Sequence, residues 1–267
     1  MGIENSIKSM STVIYPSPVF GPVHSRRLGI SLGINLQPGD GKVCSFDCIY
    51  CECGFNAERR PHSPRPTREE VAEVLERKLQ EMTAEGALPD VLTFAGNGEP
   101  TSHPQFKDII ADTIALRDKY CPQAKVSVLS NATYIHRPEV REALMTVDNN
   151  ILKLDTVDAE YIRRIDRPTG HYDVGNTMEL LRLFHGKVII QTLFMRGEYQ
   201  GASADNTGEE YVGPWLEALQ RIAPREVMVY TIDRETPAQG LLKATREQLD
   251  GIKQRVKDLG IPCTASY

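Results

Sequence analysis

The sequence predicts an α/β fold, an open and partial (β/α)6 barrel built from six strand–helix units. Apolar segments of strand length alternate with amphipathic segments of helix length, and the strands are nearly continuous runs rich in β-branched residues. The 267 residues give six such units, fewer than the eight of a closed barrel. A doubly wound sheet is the alternative. In both folds the chemistry gathers at the carboxyl ends of the strands.

The first two units carry clear local signals. Residues 28–36 alternate between apolar and other side chains, as a strand does, and lead straight into a cysteine cluster. A helix is expected over 67–82, where Thr67 and Glu70 match a capping box. Residues 90–96 have the apolar composition of a buried strand, and 105–120 the pattern of a second helix.

The later units repeat this pattern. Strands are expected over 124–130, 150–156, 187–195 and 226–232. Helices are expected over 138–145, 174–184, 209–222 and 245–260. Pro214 predicts a new start inside the fifth helix, and Gly260 a C-cap after the last. We therefore expect a single domain over residues 1–267, with 1–27 as an N-terminal extension that precedes the first strand.

Composition indicates a globular protein and leaves room for local basic patches only. Apolar residues make up 40% of the chain, charged residues 25%, and the net charge is −5, so nothing global suggests a nucleic-acid scaffold or binding to an anionic membrane. The N-terminus lacks the apolar core of a signal peptide, and no run approaches the roughly 20 apolar residues of a membrane span. We expect a cytoplasmic protein without membrane contact. Thiols stay reduced there, so clustered cysteines predict metal ligands or redox groups.

Four of the six cysteines lie in one ten-residue stretch, 44–53, that follows the first strand. Cys44, Cys48 and Cys51 have the spacing C-x3-C-x2-C, and three thiolates on one short loop can hold three corners of an iron–sulfur cubane while the fourth iron stays open. Zinc is the alternative, with Cys53 as a fourth ligand. Structural zinc commonly uses two separate C-x2-C pairs, and Cys53 stands only one residue from Cys51.

This spacing, with the aromatic Tyr50 before the last cysteine, resembles the signature of the radical S-adenosylmethionine (radical SAM) superfamily. The resemblance implies that Cys44, Cys48 and Cys51 hold a [4Fe–4S] cluster whose open iron binds SAM, with Tyr50 against the adenine. It implies reductive cleavage of SAM to methionine and a 5′-deoxyadenosyl radical that abstracts hydrogen from a substrate. It also implies a low-potential electron donor, a flavodoxin or ferredoxin, and a partial (β/α)6 barrel of the radical SAM type.

The segment after the second strand extends the resemblance. Gly96, Asn97, Gly98 and Glu99 resemble the family's GGE element, which receives the amino group of SAM, with Asn97 in place of the second glycine. The two glycines permit close backbone approach, and Glu99 adds a carboxylate at the end of the strand.

Polar residues follow the next strands in the same way. Ser130 and Asn131 resemble the pair that meets the ribose and carboxylate of SAM. Lys153 and Asp155 alternate onto one side of the fourth strand, either as a structural ion pair or facing the barrel interior. We include Asp155 among the expected cofactor contacts. Residues 230–241 resemble the segment that passes near the adenine.

Residues 20–51 resemble the N-terminal region of a group of iron–sulfur oxidoreductases related to the tRNA wyosine-forming synthases, most specifically in the run GP-x2-SRRLG. Those synthases carry further cysteines for a second cluster and a lysine proposed to engage pyruvate. This chain has no cysteine before Cys44.

Three hypotheses remain for the function. We favour an enzyme that acts on its own substrate, a small molecule or an RNA. An activase that makes a radical on a partner protein is the second, and a non-enzymatic zinc- or iron–sulfur-binding module the third. Six arginines flank the cysteine loop, residues 44–54, and would suit an anionic substrate. These arginines could instead pair with Glu58, Glu69 and Glu70. They are Arg26, Arg27, Arg59, Arg60, Arg65 and Arg68. His103 is the one histidine expected near Glu99.

Overall fold

The computed structural model describes residues 12–25 and 29–267 and contains a large, mostly parallel sheet with helices between its strands. The strands are β1 (Val19–Ser25), β2 (Gly29–Ile34), β3 (Val91–Phe94), β4 (Lys125–Ser130), β5 (Asn149–Lys153), β6 (Ile189–Leu193), β7 (Met195–Tyr199), β8 (Ala202–Ser203), β9 (Glu226–Tyr230), β10 (Leu241–Lys243) and β11 (Cys263–Ser266). The helices are α1 (Arg68–Glu85), α2 (Phe106–Tyr120), α3 (Pro138–Thr146), α4 (Ala159–Tyr161), α5 (Val174–Arg182), α6 (Glu209–Ile222) and α7 (Arg246–Asp258). A 3₁₀ turn spans Pro100–Ser102, and a π-helical turn spans Ile162–Asp166.

The large sheet has the strand order β1-β2-β3-β4-β5-β6-β9-β11. The first pair, β1 and β2, is antiparallel, and every later pair is parallel. This order runs in one direction across the sheet, whereas a doubly wound sheet reverses at a switch point. The strand order therefore excludes the doubly wound alternative, and the α/β prediction of a partial barrel is confirmed.

Three features of the fold differ from the sequence prediction. The chain adds β1 within the segment expected to precede the first strand, and β11 after the last predicted helix. The predicted strand 187–195 divides at Phe194, where the chain leaves β6 and begins the small sheet β10-β7-β8. The predicted helix start at Pro214 is wrong, because α6 continues through it. The lost backbone hydrogen bond lies near the start of α6, and buried Trp215 and Leu216 hold the helix against the core.

Apolar packing between the helices and the sheet positions the strand ends. Leu32, Leu92 and Val126 of three neighbouring strands and Leu75 of α1 are all fully buried in one core cluster. The capping box predicted for α1 is present, since the Glu70 N–H donates to Thr67 Oγ1 at 3.2 Å. In the part of the chain that the structure describes, no helix has the length and apolar composition to cross a membrane.

Candidate functional site

The cysteine loop follows β2 at the carboxyl edge of the sheet. Cys44, Cys48 and Cys51 are partly exposed, whereas Cys53 is buried. Its thiol points toward the Gly96 carbonyl oxygen, 3.4 Å away. No three His, Cys, Asp or Glu side chains among the described residues are arranged to hold a single metal ion. A [4Fe–4S] cluster does not require ligands that converge on one ion, because each thiolate binds a different iron.

The π-helical turn and the residues after it hold the cysteine loop from the other side. The Ile49 N–H donates to the Ile165 carbonyl at 3.0 Å, and the Thr169 N–H donates to the Ser45 carbonyl at 2.8 Å. π-helical turns are rare and are frequent at functional sites. These backbone bonds fix the loop independently of its cysteines.

Lys42 lies beneath the cysteine loop, and the sequence analysis did not single it out. Its side chain is 1% exposed, and Nζ donates to the Gly54 carbonyl at 2.6 Å and lies 3.6 Å from Asp47 Oδ1. Burial opposes its charge, but the neighbouring thiols of Cys51, Cys44 and Cys48 raise the pKa of Lys42 above its usual value. A buried cation suits a site for three thiolates, because it offsets their negative charge.

The thiols themselves differ in acidity. A hydrogen bond with the Cys53 thiol lowers the pKa of Cys51 to about 6 against the opposing effect of burial, and the charge of Lys42 adds to it. Burial raises the pKa of Cys44 to about 12 and also raises that of Cys48. The donor set therefore fits an iron–sulfur cluster: three thiols on one loop, one of them made more acidic by its neighbours, beside a buried cation.

The segment from Gly96 to Glu99 packs against the start of the cysteine loop. The Val43 N–H donates to the Asn97 carbonyl at 2.9 Å, and Val43 and Gly98 form a parallel bridge. Gly98 has φ +136°, and a Cβ at this position would lie 1.9 Å from the Val43 carbonyl oxygen. Only glycine permits this approach, as the sequence predicted.

The Asn97 side chain is engaged by Tyr15 and Pro38. It is fully buried, and its Nδ2 donates to the carbonyl oxygens of Tyr15 and Pro38, both at 2.8 Å. Its Oδ1 accepts from the Tyr15 N–H at 2.8 Å. These contacts favour a structural role for Asn97, which ties the N-terminal segment to the loop.

Glu99 is a buried carboxylate, 2% exposed, that receives hydrogen bonds only from neutral groups. Its Oε1 accepts from the Thr101 N–H at 3.0 Å and from the Ser130 hydroxyl at 2.8 Å, and its Oε2 accepts from the Asn131 N–H at 2.6 Å. Burial raises the pKa of Glu99, and these hydrogen bonds act against that shift. Within residues 12–25 and 29–267 it has no lysine, arginine or histidine partner.

Asn131 joins this carboxylate to the cysteine loop. Its Nδ2 lies 3.6 Å from the Cys44 sulfur and donates to Ser45 Oγ at 2.9 Å. The structure therefore brings Cys44, Glu99, Ser130 and Asn131 into one corner at the ends of β2, β3 and β4.

Tyr50 takes part in a buried charge network that joins the cysteine loop to β5. Its hydroxyl donates to Asp155 and, at 3.0 Å, to Asp166 Oδ1. Lys153 Nζ contacts Tyr50 and Asp155 and lies 3.1 Å from Asp166. Lys153 and Asp155 thus form the ion pair that strand alternation allowed. Asp155 also accepts from the Leu193 N–H at 2.9 Å, so both of its oxygens are engaged.

Asp166 completes this network and was missed by the sequence analysis. It lies in the π-helical turn, far along the chain from Tyr50, and its burial raises its pKa to about 6 although Lys153 acts in the opposite direction. No local pattern marks it, since its importance depends on contacts that only the fold creates.

Several expected participants have other partners. His103 is buried, with its Nε2 3.0 Å from the Pro66 carbonyl oxygen, which indicates a structural role. The arginines near the cysteine loop do not converge: Arg68 pairs with Asp112 of α2 at 2.6 Å, Arg65 donates to the Ser102 carbonyl, and Arg59 to Thr12. Arg26 and Arg27 lie outside the described residues.

The chain is similar to several known proteins. The model of the Radical SAM superfamily matches residues 40–201. UPF0026 protein slr1464 of Synechocystis is 31% identical over 229 residues, which cover 83% of this chain and 77% of that protein. Three other curated relatives match most of this chain, which spans between 33% and 66% of their lengths.

Two solved structures share the fold. A radical SAM methyltransferase from Sphaerobacter thermophilus has a TM-score of 0.65 at 15% identity, covering 89% of this chain and 66% of its own. Streptococcus suis SuiB, crystallised with S-adenosylmethionine, has a TM-score of 0.62 at 14% identity, covering 88% of this chain and 50% of its own. The chain belongs to the radical SAM superfamily, and by that membership it is an enzyme whose cofactors are a [4Fe–4S] cluster and S-adenosylmethionine.

Proposed function

We propose that Cys44, Cys48 and Cys51 hold the cluster and that the enzyme abstracts hydrogen from a substrate of its own. One observation carries the proposal: three partly exposed thiols on one loop lie at the carboxyl edge of the sheet with a buried carboxylate, Glu99, that has no lysine, arginine or histidine partner within the described residues. When bound, the cluster supplies the electron that cleaves SAM to methionine and a 5′-deoxyadenosyl radical. The reductant is a low-potential donor, and we propose a flavodoxin or a ferredoxin.

Glu99 is suited to hold the amino group of SAM. A cationic ammonium group would give this carboxylate the counter-charge that its protein neighbours do not provide, in a site where burial strengthens the attraction. Asn131 and Ser130 already donate to Glu99 and would orient it. The missing side chains of Gly96 and Gly98 leave room for Asn35 and for the Val43 backbone, so these glycines act on the site through the shape of the loop that carries Glu99.

Tyr50 and Asp155 support the site from the opposite side. Since the Tyr50 hydroxyl and both Asp155 oxygens are bonded within the network, we assign these two groups to holding the cysteine loop in place. We place the face of the Tyr50 ring near the adenine of SAM. Asn97 acts through the shape of the loop that carries Glu99.

The ligand assignment is tested by replacing each cysteine in turn. Cys44→Ala, Cys48→Ala and Cys51→Ala are each expected to prevent cluster assembly, measured by iron content and by visible absorbance after anaerobic reconstitution. Cys53→Ala is the matched control, since its buried thiol faces Gly96, and it is expected to retain the cluster. If Cys53→Ala lost the cluster and Cys51→Ala kept it, the assignment would be wrong.

We propose that the substrate is a small molecule or an RNA. A polar cleft with a volume of about 470 Å³ opens beside the cysteine loop, within the size range of small-ligand sites. Thr133 lines it and contacts Ser45 through their hydroxyls, 2.6 Å apart. His136, His171 and Asn176 line it further out. An activase would instead bind a large partner protein in stoichiometric amounts, which anaerobic co-purification would detect.

We place the enzyme nearest the iron–sulfur oxidoreductases related to the wyosine-forming synthases. The run GP-x2-SRRLG at 21–29 supports this grouping. The second cluster of those synthases is not part of the proposal, because no cysteine precedes Cys44. We also propose a cytoplasmic location, where the four clustered thiols would stay reduced.

A further inference from the structure

We propose that Lys42 is a positioning residue that raises the reduction potential of the bound cluster, by holding a fixed, buried positive charge under the turn that presents Cys51. The inference rests on the proposed function, because it requires a cluster on Cys44, Cys48 and Cys51. Lys42 lies outside the cysteine motif, and in this role it makes the cluster easier to reduce.

The geometry leaves Lys42 little freedom. Its side chain is 1% exposed, and the hydrogen bond from Nζ to the Gly54 carbonyl, at 2.6 Å, anchors the ammonium group under the turn that begins at Cys51. That turn is closed by the Gly54 N–H, which donates to the Cys51 carbonyl at 2.9 Å. Of the three motif thiols, Cys51 has the strongest charge interaction with this ammonium group. One ammonium group therefore anchors the far end of the turn that presents Cys51.

The nearest counter-charge does not cancel this cation. Asp47 lies 3.6 Å from Lys42, but it also pairs with Arg167 at 3.4 Å and accepts from the Asn56 N–H at 2.7 Å. Two cations thus share one carboxylate, so Asp47 does not neutralise both Lys42 and Arg167. The negative groups near the thiols, Glu99 and the network around Lys153, lie beside Cys44 and Cys48.

Reduction adds one electron to a site that already holds three thiolates, so the negative charge next to Lys42 increases. A cation buried beside that charge stabilises the reduced form more than the oxidised form, and hydrogen bonds to the sulfurs act in the same direction. The electron comes from an external low-potential donor. No bond breaks, and Lys42 keeps its proton throughout.

The test is a potentiometric titration of the reconstituted holoenzyme, followed by electron paramagnetic resonance. Lys42→Met keeps the length of the side chain and removes its charge. We expect the ratio of reduced to oxidised cluster at a fixed potential to fall at least about tenfold, equal to about 59 mV for one electron. Lys42→Arg keeps the charge and is expected to stay within about threefold of the wild type. Lys107→Met, which removes an exposed lysine paired with Glu142, is the control and should cause no shift.

Asp47→Asn gives a second test with the opposite sign. It removes the carboxylate shared by Lys42 and Arg167, so the reduced fraction should rise. An unchanged potential in Lys42→Met with full iron content would overturn the inference. If Lys42→Met failed to bind iron, the Asp47→Asn titration would decide, and no shift there would reject the role. A wild-type protein that binds no cluster would instead contradict the proposed function itself.

Discussion

Replacing Glu99 by glutamine removes one charge from the proposed SAM site and changes little else. The carboxylate is 2% exposed and has only neutral hydrogen-bond donors in the described structure. Glutamine has nearly the same size, and its Oε1 can still accept from Thr101 and Ser130. The fold should therefore survive, with the loss of the hydrogen bond from the Asn131 N–H as its main cost, about 1 kcal/mol.

The loss of SAM affinity should be larger than this cost. A hydrogen bond to a charged group contributes about 1.5–3 kcal/mol, and burial of the pair favours the upper half of that range. Since 1.4 kcal/mol is tenfold in Kd, we expect Glu99→Gln to weaken SAM binding by about 40- to 140-fold. Burial raises the pKa of Glu99, so wild-type affinity should also fall as the pH falls through that pKa, because the protonated carboxyl carries no charge. The variant should lack this contribution to the pH dependence.

Isothermal titration calorimetry of reconstituted protein with SAM measures both effects under anaerobic conditions. Glu142→Gln, which removes an exposed carboxylate paired with Lys107, is the matched control and should bind like the wild type. Cluster absorbance should be the same in all three proteins. Unchanged SAM affinity in Glu99→Gln would refute the assignment of the ammonium site.

Three further predictions follow from the packing of the site. Gly98→Ala should greatly reduce iron incorporation, because its Cβ would lie 1.9 Å from the Val43 carbonyl oxygen, directly before the cysteine loop. The control Gly251→Ala has open space in α7, so it should incorporate iron normally and gain about 1 kcal/mol in unfolding free energy. Normal iron content in Gly98→Ala would contradict the packing argument. Lys153→Met leaves two buried carboxylates without a cation and should lower the free energy of unfolding by about 3–5 kcal/mol, which lowers Tm by roughly 6–20 °C in a thermal melt. The control Lys243→Met, at an exposed ion pair, should lower the free energy of unfolding by less than about 1 kcal/mol. Similar Tm values for the two variants would reject the stabilising role of the network. In cluster-free protein at pH 7, iodoacetamide should modify Cys51 before the other two motif cysteines. The rate of Cys51 labelling should fall as the pH falls through about 6, because the thiolate is the nucleophile. Mass spectrometry that finds Cys44 or Cys48 labelled first would disprove this prediction.

The sequence was informative where the signal is local. The alternation of strands and helices predicted the parallel strands β2 to β6 and β9, and the capping box predicted the start of α1. The positions of the cysteine loop and of Glu99 directly after neighbouring strands explain why they meet, because parallel strands end at one edge. Strand alternation also placed Lys153 beside Asp155.

The rest of the site depends on contacts between distant parts of the chain. Tyr50 and Asp166 are 116 residues apart, and Tyr15 and Asn97 are 82 residues apart, so no window of sequence shows that these groups meet. Lys42 is different. It stands two residues before Cys44, but a lysine in a loop is ordinarily exposed, and only the fold shows that it is buried against the thiols.

The most direct test of the central claim is anaerobic reconstitution with iron and sulfide, then reduction by dithionite in the presence of SAM, with 5′-deoxyadenosine as the measured product. The account predicts about four irons per chain, iron–sulfur absorbance, and deoxyadenosine that depends on both reductant and SAM. Bound zinc with no iron–sulfur absorbance and no deoxyadenosine would contradict it.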